Sequence, residues 1–273
     1  MSIRTHRTPA RLVAALTVLL ALPLLATAGP AAGASKGMRT QAAAAPASDV
    51  LAGLGDLGDL LARLLGQAAP SAPPSLVSRV AASTVKVSSM ACGVRLSGSG
   101  FSAGPDTIVT NAHVVAGATA TTVQRPDGRV LPAQVQVFDP VRDLALLAVP
   151  GLGQPSLALG SAVVGEDAAV FGHPGGRTAL EVSPAVVLRK VVVDLEDIYE
   201  QTSSPRQILV LNARLAPGDS GGPLVNSAGQ VVGVAFAVAN LRRATAFAVA
   251  SEELVPVLAQ PRNGPVSTGR CIV

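Results

Sequence analysis

The sequence has few aromatic residues and few charges. Five Phe and one Tyr are its only aromatic residues among 273, and Trp is missing altogether. Hydrophobic residues still make up 49% of the chain, whereas charged residues make up only 14%. A folded core in this protein must therefore be aliphatic, built from Val, Leu and Ala.

The net positive charge is small in the part of the chain that has the composition of a folded domain. The formal net charge is +4, of which residues 1–75 contribute +3 (six basic, three acidic) and residues 76–273 only +1 (fifteen basic, fourteen acidic). A nearly neutral domain lacks the positive surface that binds a phosphate backbone. We therefore expect no nucleic-acid partner, and the oligomeric state stays open. The protein or peptide partners that we expect follow from the motifs described below.

Only two cysteines occur, Cys92 and Cys271. No cluster of His or Cys accompanies either one, so we expect no metal site and no cofactor. An even number of cysteines in an exported protein favours one disulfide, although two unrelated thiols are the alternative.

The first 28 residues have the pattern of a signal peptide. Basic residues precede an apolar run at residues 12–25, and Ala26-Thr27-Ala28 then provides the small residues that a signal peptidase recognises. The run is shorter than the roughly 20 residues that span a bilayer. The sequence thus predicts a protein that is secreted or held in the periplasm or cell envelope. A single retained anchor, with membrane contact, is the alternative.

Residues 29–75 are rich in Ala, Gly and Pro, which is typical of a linker or a pro-segment. From residue 76 onwards, short apolar segments alternate with turn residues and predict strands, for example at 84–89, 144–149 and 163–171. One helix is predicted at 251–258, interrupted by Pro256. Many short strands favour barrels or a sandwich, with a boundary near residues 150–160.

A serine between glycines stands out near the end of the chain, in Pro217-Gly218-Asp219-Ser220-Gly221-Gly222-Pro223. Glycines allow a tight turn that exposes the hydroxyl of Ser220 and directs the N–H groups of Gly218 and Ser220 to one spot. A nucleophile beside two such donors is what acyl transfer requires.

A serine nucleophile needs a base, and histidine is the usual one near neutral pH. The chain has three histidines, of which His6 belongs to the export signal. His113 follows a predicted strand, whereas His173 lies in a loop rich in Gly and Pro, and either one alone could be structural. For the orienting carboxylate we favour Asp143, directly before the apolar strand, over Asp139, which lies in a turn expected to be solvated.

The blocks at 110–115, 142–147 and 218–223 resemble the three catalytic blocks of the trypsin-like (chymotrypsin-fold) serine proteases, and most of all their HtrA-like branch. Three further features are similar to an actinobacterial periplasmic group within that branch. They are Cys92-Gly93 before a Gly-Ser-Gly-Phe strand, Gly172-His173-Pro174-Gly175-Gly176, and Thr268-Gly269-Arg270-Cys271. The resemblance covers roughly residues 80–271.

This resemblance implies an all-β fold of two six-stranded antiparallel β-barrels with the active site between them. The protease domain would be 76–273, with barrel one at about 76–155, barrel two at about 156–258 and a C-terminal tail containing Cys271. Ser220 would attack the scissile carbonyl, His113 would transfer the proton, and Asp143 would orient the imidazole. His173 has no role in that scheme and is assigned to loop structure.

The resemblance also implies where substrate binds. Arg214 lies near the expected floor of the specificity pocket, and Val234, Ala235 and Phe236 form one wall. A small or apolar preference is the expectation, and selection of acidic residues by Arg214 is the alternative. Digestive relatives pair the aspartate before the nucleophile with a freed N-terminus. No Ile-Val-Gly-Gly start occurs here, so the partner of Asp219 stays open.

Two other readings of the sequence remain. A catalytically silent binding or scaffold module would keep the same fold, although all three triad residues are present. An esterase would also use Ser, His and Asp, and Gly218-Asp219-Ser220-Gly221-Gly222 fits its short Gly-x-Ser-x-Gly signature. The order His, Asp, Ser and the lack of alternating helices reject an α/β hydrolase.

Overall fold

Alternating apolar strands dominate the computed structural model, which describes residues 73–240 and 244–272. These residues belong to one unit, Ala68–Val273. The predicted signal peptide and nearly all of the predicted linker lie outside the described residues. Within the described part of the chain, no helix is long and apolar enough to cross a membrane.

In residues 73–240 and 244–272, twelve strands form two closed barrels, with neighbouring strands antiparallel in each. The first barrel closes in the order β1-β2-β3-β6-β5-β4 and the second in the order β10-β11-β12-β9-β8-β7. The strands of the first barrel are β1 Thr84–Ala91, β2 Val94–Gly104, β3 Thr107–Thr110, β4 Ala118–Gln124, β5 Val130–Asp139 and β6 Leu144–Ala148. Those of the second are β7 Asp167–Gly172, β8 Glu181–Glu196, β9 Ser203–Ala213, β10 Pro223–Asn226, β11 Val231–Asn240 and β12 Thr245–Ala250. The predicted pair of six-stranded barrels is confirmed.

Helical segments within the described residues are short and connect or flank the strands. They are α1 Pro74–Ala81, α2 Ala112–Val115, a 3-10 turn Pro174–Gly176 and α3 Ser251–Leu258. Helix α1 was not expected from the sequence, because it has no polar N-cap and packs mainly through Leu76 and Val80. Helix α3 runs through Pro256 without a break, since Leu254 and Val257 are buried on both sides of it.

The predicted strand at 163–171 begins only at Asp167. Val163 and Val164 are 62% and 58% exposed, so these apolar side chains pack against nothing that would hold an extended segment. Pattern alone could not reveal this, because two adjacent valines favour a strand wherever they occur.

Buried side chains form one core in each barrel and a third core shared by both. Nearly all of them are aliphatic, as the composition predicts, and each fully buried Val or Leu stabilises the fold by about 1.5–3 kcal/mol. The shared core includes Phe101 and Leu146 of the first barrel and Phe171 and Val234 of the second. It therefore fixes the two barrels against each other and positions the loops that meet at their junction.

The C-terminal tail returns to the first barrel after α3. A disulfide joins Cys271 to Cys92 in the β1–β2 turn, as the sequence predicts. The N–H of Gly117, two positions after the end of α2, donates to the carbonyl of Thr268 at 2.9 Å. The tail is thus attached to the segment that carries His113.

Candidate active site

The serine-containing turn lies between β9 and β10, where two glycines have positive φ. Gly218 has φ +104° and Gly221 has φ +86°. A Cβ on Gly218 would collide with the carbonyl oxygen of His173, and one on Gly221 with that of Ser99. Only glycine fits both positions.

The peptide group that carries the Gly218 N–H is held by its carbonyl oxygen. The N–H of Gly175, in the 3-10 turn, donates to the carbonyl of Pro217 at 2.6 Å. The C=O and N–H of a trans peptide point in opposite directions, so the Gly218 N–H points away from the 3-10 turn.

The peptide group that carries the Ser220 N–H is held in the same way. The N–H of Gly222 donates to the carbonyl of Asp219 at 2.9 Å. Among the described residues, neither the Gly218 N–H nor the Ser220 N–H donates to any acceptor. Both donors that the sequence suggested for an oxyanion are therefore available.

His113 lies in α2, immediately after β3, and contacts Asp143 at the start of β6. Its ring Nδ1 lies 2.7 Å from Asp143 Oδ2, and its backbone N–H donates to Oδ1 at 2.9 Å. The side-chain amide of Asn111 donates to the Asp143 carbonyl at 2.7 Å. The side chain of His113 is 33% exposed, whereas that of Asp143 is only 7% exposed. The carboxylate is thus shielded from water while the imidazole remains accessible.

Two opposing effects set the pKa of His113. Burial lowers it, but the charge of Asp143 and its hydrogen bond to the ring outweigh burial, so the pKa lies above 6.5. The imidazole is therefore a stronger base than an ordinary histidine side chain.

Ser220 lies against β2, which contacts the end of β3, the strand that leads to His113. Its carbonyl accepts the N–H of Ser99 at 2.7 Å, and the carbonyl of Ser99 accepts the hydroxyl of Thr110 at 2.7 Å. The Ser220 hydroxyl donates to the carbonyl of Phe236 at 3.4 Å. Among the described contacts it makes no bond to His113, and such bonds are often long before substrate binds.

Asp139, the rival carboxylate, contacts Arg142 instead of a histidine. Its oxygens lie 2.8 Å from the Arg142 backbone N–H and 3.1 Å from the guanidinium. It is also buried rather than solvated, because Arg142 bridges it to Glu253 of α3.

His173, the rival histidine, is buried in the loop before the 3-10 turn. Neither of its ring nitrogens has a hydrogen-bond partner among the described residues. Burial lowers its pKa, so the ring is neutral at physiological pH. In the described part of the chain, no hydrogen bond joins the ring to a carboxylate that could orient it as a base.

Asp219 finds a backbone partner rather than a freed N-terminus. Its Oδ2 accepts the N–H of Ala216 at 2.8 Å, and no cation pairs with it among the described residues. Burial raises the pKa of this carboxyl. The turn is therefore formed without the ion pair of the digestive enzymes.

The four residues expected to bind substrate differ in accessibility. Arg214 is exposed. Val234 and Ala235 are fully buried in the core, and exposure increases only at Phe236, whose ring lies 6.3 Å from that of Phe247. Side-chain contact with a substrate is thus open to Arg214 and Phe236, while Val234 and Ala235 support the strand from behind.

Comparisons with known proteins find similar sequences. The trypsin-like peptidase domain profile matches residues 98–234. The serine protease Rv3671c (MarP) of Mycobacterium tuberculosis is 38% identical over 213 residues, which cover 74% of this chain and 53% of that protein. A probable periplasmic DegP-like serine endoprotease of Chlamydia pneumoniae is 36% identical over 150 residues, covering 52% of this chain and 28% of that protein.

Solved structures show the same likeness. The active form of the Rv3671c protease has a TM-score of 0.69 and 37% identity, covering 75% of this chain and 94% of that one. The HtrA-type protease AlgW with a tripeptide has a TM-score of 0.61 and 26% identity, covering 67% and 61%. The chain spans about half the length, or less, of these two curated relatives.

Proposed function

Because the chain belongs to the trypsin-like peptidase family of serine proteases, we propose that it is an exported endopeptidase. In this proposal it hydrolyses peptide bonds in envelope or extracellular proteins through His113, Asp143 and Ser220. The observation that carries the proposal is the paired contact of His113 with one buried carboxylate, beside a turn with two free N–H groups. The periplasmic naming of DegP-like relatives supports export.

The chemistry follows from the positions of the donors and acceptors. His113 Nε2 accepts the proton of the Ser220 hydroxyl as the oxygen attacks the scissile carbonyl carbon. Asp143 accepts the Nδ1–H bond and stabilises the imidazolium that forms. The N–H groups of Gly218 and Ser220 bind the oxyanion. The imidazolium then donates its proton to the leaving amine, and water repeats the sequence on the acyl-enzyme.

Substrate recognition in this proposal involves Arg214 and Phe236. The apolar surroundings of Phe236 favour a small or apolar side chain before the scissile bond. The exposed guanidinium of Arg214 loses little hydration free energy there, so it contributes little selectivity for acidic side chains. Peptides that differ only in that side chain, alanine against glutamate, would measure the preference.

The test is labelling of the full chain with a fluorophosphonate probe, which reacts only with an activated serine. Labelling that is lost in both Ser220→Ala and His113→Ala would support the proposal. A folded, oxidised protein that is neither labelled nor active on peptides would overturn it and favour the silent module. Asp139→Asn is the matched control, because that carboxylate contacts Arg142 and should leave labelling intact.

A further inference from the structure

Ser99 of the first barrel contacts the nucleophile turn of the second barrel through its side chain. Its hydroxyl donates to the carbonyl oxygen of Gly218 at 2.7 Å. The hydroxyl oxygen of Ser99 in turn accepts the backbone N–H of His173 at 2.9 Å. Ser99 is fully buried, so water does not compete for either bond.

The two groups that this hydroxyl contacts belong to the nucleophile turn and to the neighbouring loop. Gly218 supplies the N–H that would bind the oxyanion, and its own carbonyl is the one that Ser99 holds. His173 begins the loop in which Gly175 holds the carbonyl of Pro217. One hydroxyl therefore restrains both the turn and the loop that orients it.

The chain around Ser99 leaves no room for other side chains. A Cβ on Gly98 would lie 2.6 Å from Val114 and 2.9 Å from the Ser220 carbonyl, and one on Gly100 would lie 2.7 Å from Ile108. Glycine on each side lets the strand approach its neighbours closely. Between these two glycines, Ser99 carries a side chain that hydrogen-bonds to the turn.

We propose that Ser99 is a positioning residue for the oxyanion hole, an inference that rests on the proposed function. Without its hydroxyl, the Gly218 carbonyl and the His173 N–H would be buried and unpaired. Gly218 has no side chain to resist rotation, so the peptide groups on either side of it would turn away from their catalytic orientation. Ser99 does not contact substrate and acts only through these groups.

The test compares Ser99→Ala with Ser102→Ala. Ser102 lies on the same strand and is equally buried, but its hydroxyl donates to Gly104 at 3.4 Å and does not contact the turn. For a peptide substrate, Ser99→Ala should lower kcat about 10–100-fold, part of the effect of losing an oxyanion donor, while KM changes by less than about threefold. Affinity for a peptide aldehyde, whose adduct uses the same donors, should fall in parallel with kcat. Ser102→Ala should leave both within about twofold.

A second pair keeps the test decisive if the alanine variant fails to fold. Ser99→Thr and Ser99→Val have nearly the same shape and differ in the hydroxyl, so the threonine variant should have a kcat at least about tenfold higher. Equal kcat values in this pair, or equal losses in Ser99→Ala and Ser102→Ala, would overturn the inference. A folded wild-type protein that neither reacts with fluorophosphonate nor cleaves peptide would instead overturn the proposed function, and this inference with it.

Discussion

Asp143 binds His113 at two points, accepting the ring Nδ1–H at 2.7 Å with one oxygen and the backbone N–H at 2.9 Å with the other. The carboxylate therefore fixes the position of the histidine main chain as well as the orientation and tautomer of the ring. Asp143 itself has φ +54°, a left-handed conformation that Asp and Asn adopt more readily than most residues. Replacing it with asparagine should thus preserve the backbone and change only the chemistry.

Asp143→Asn should lower kcat/KM about a thousandfold to ten-thousandfold with little change in KM. The amide oxygen of the asparagine can still accept the His113 backbone N–H, but its NH2 group then faces Nδ1. This contact favours the tautomer with the proton on Nε2. That tautomer cannot accept the proton of Ser220. The measurement is steady-state hydrolysis of a peptide ester or amide.

Asp139→Asn is the control for this prediction, since Asp139 is also buried but contacts Arg142. It should retain kcat within about threefold and lose only stability. Equal losses of activity in the two variants would show that Asp143 has no special role.

The activity should depend on pH through His113. Its pKa lies above 6.5 because Asp143 outweighs the effect of burial, and the protonated ring cannot accept a proton from Ser220. The value of kcat/KM should therefore decline on the acid side with an apparent pKa above 6.5. In Asp143→Asn the acid-side decline of the residual activity should shift to a lower pH, because the negative charge that raises the His113 pKa is gone. An acid limb at or below 6.5 in the wild type would contradict the assignment.

Much of this site was accessible from the sequence because its parts are local in the chain. The residues of the proposed triad lie in short blocks whose composition suggested those roles, such as a histidine after a strand and a serine among glycines. The aliphatic composition likewise predicted the core. The predicted ends of the strands were less accurate, as at Val163 and Val164. Whether an apolar residue is buried in a strand depends on what packs against it, which the local sequence does not show.

Ser99 could not be assigned from the sequence. Its bond to Gly218 joins residues 119 positions apart, and nothing local reveals such a contact. The one available signal was the glycine on each side, which indicates a close approach of the backbone without naming the partner. The same holds for Asp219, whose partner the sequence left open and which accepts the Ala216 N–H in the structure.

Asp219→Asn should stabilise the protein more at neutral than at acidic pH. Burial raises the pKa of Asp219 above its ordinary 3.8, so the folded state binds this proton more tightly than the unfolded state does. Ionisation then destabilises the fold, an effect absent below about pH 3.8 and complete above the folded-state pKa. The difference in Tm, variant minus wild type, should rise from about pH 4 to 7. A rise of a few degrees is the expected size, since about 1 kcal/mol corresponds to roughly 2–4 °C in such a domain.

Asp197→Asn is the matched control with the opposite sign. The Thr202 side chain and nearby backbone N–H groups lower the pKa of Asp197, so its ionised form stabilises the fold at neutral pH. This variant should melt below the wild type at pH 7. If the Tm difference for Asp219→Asn stayed constant or fell with rising pH, the burial of an ionised Asp219 would not be the cause.

Loss of the disulfide should lower both stability and activity. The bond between Cys92 and Cys271 closes a segment of 179 positions, which on the loop-entropy model restricts the unfolded chain by up to about 5 kcal/mol. It also attaches the tail whose Thr268 carbonyl accepts the Gly117 N–H, two positions after the end of α2, so the position of His113 depends on it.

The double variant Cys92→Ser with Cys271→Ser should therefore melt at least several degrees lower than the oxidised wild type, and reduced wild type should behave in the same way. Each single variant exposes one thiol to intermolecular exchange and is a poorer comparison. Thr268→Ala is the useful control, because it keeps the disulfide and the backbone carbonyl but removes the hydroxyl that donates to Ala118 at 3.2 Å. It should cost less than about 1 kcal/mol, since that hydroxyl is partly exposed. An unchanged Tm after verified reduction would mean that packing alone holds the C-terminal tail against the first barrel. Activity should then be independent of redox state.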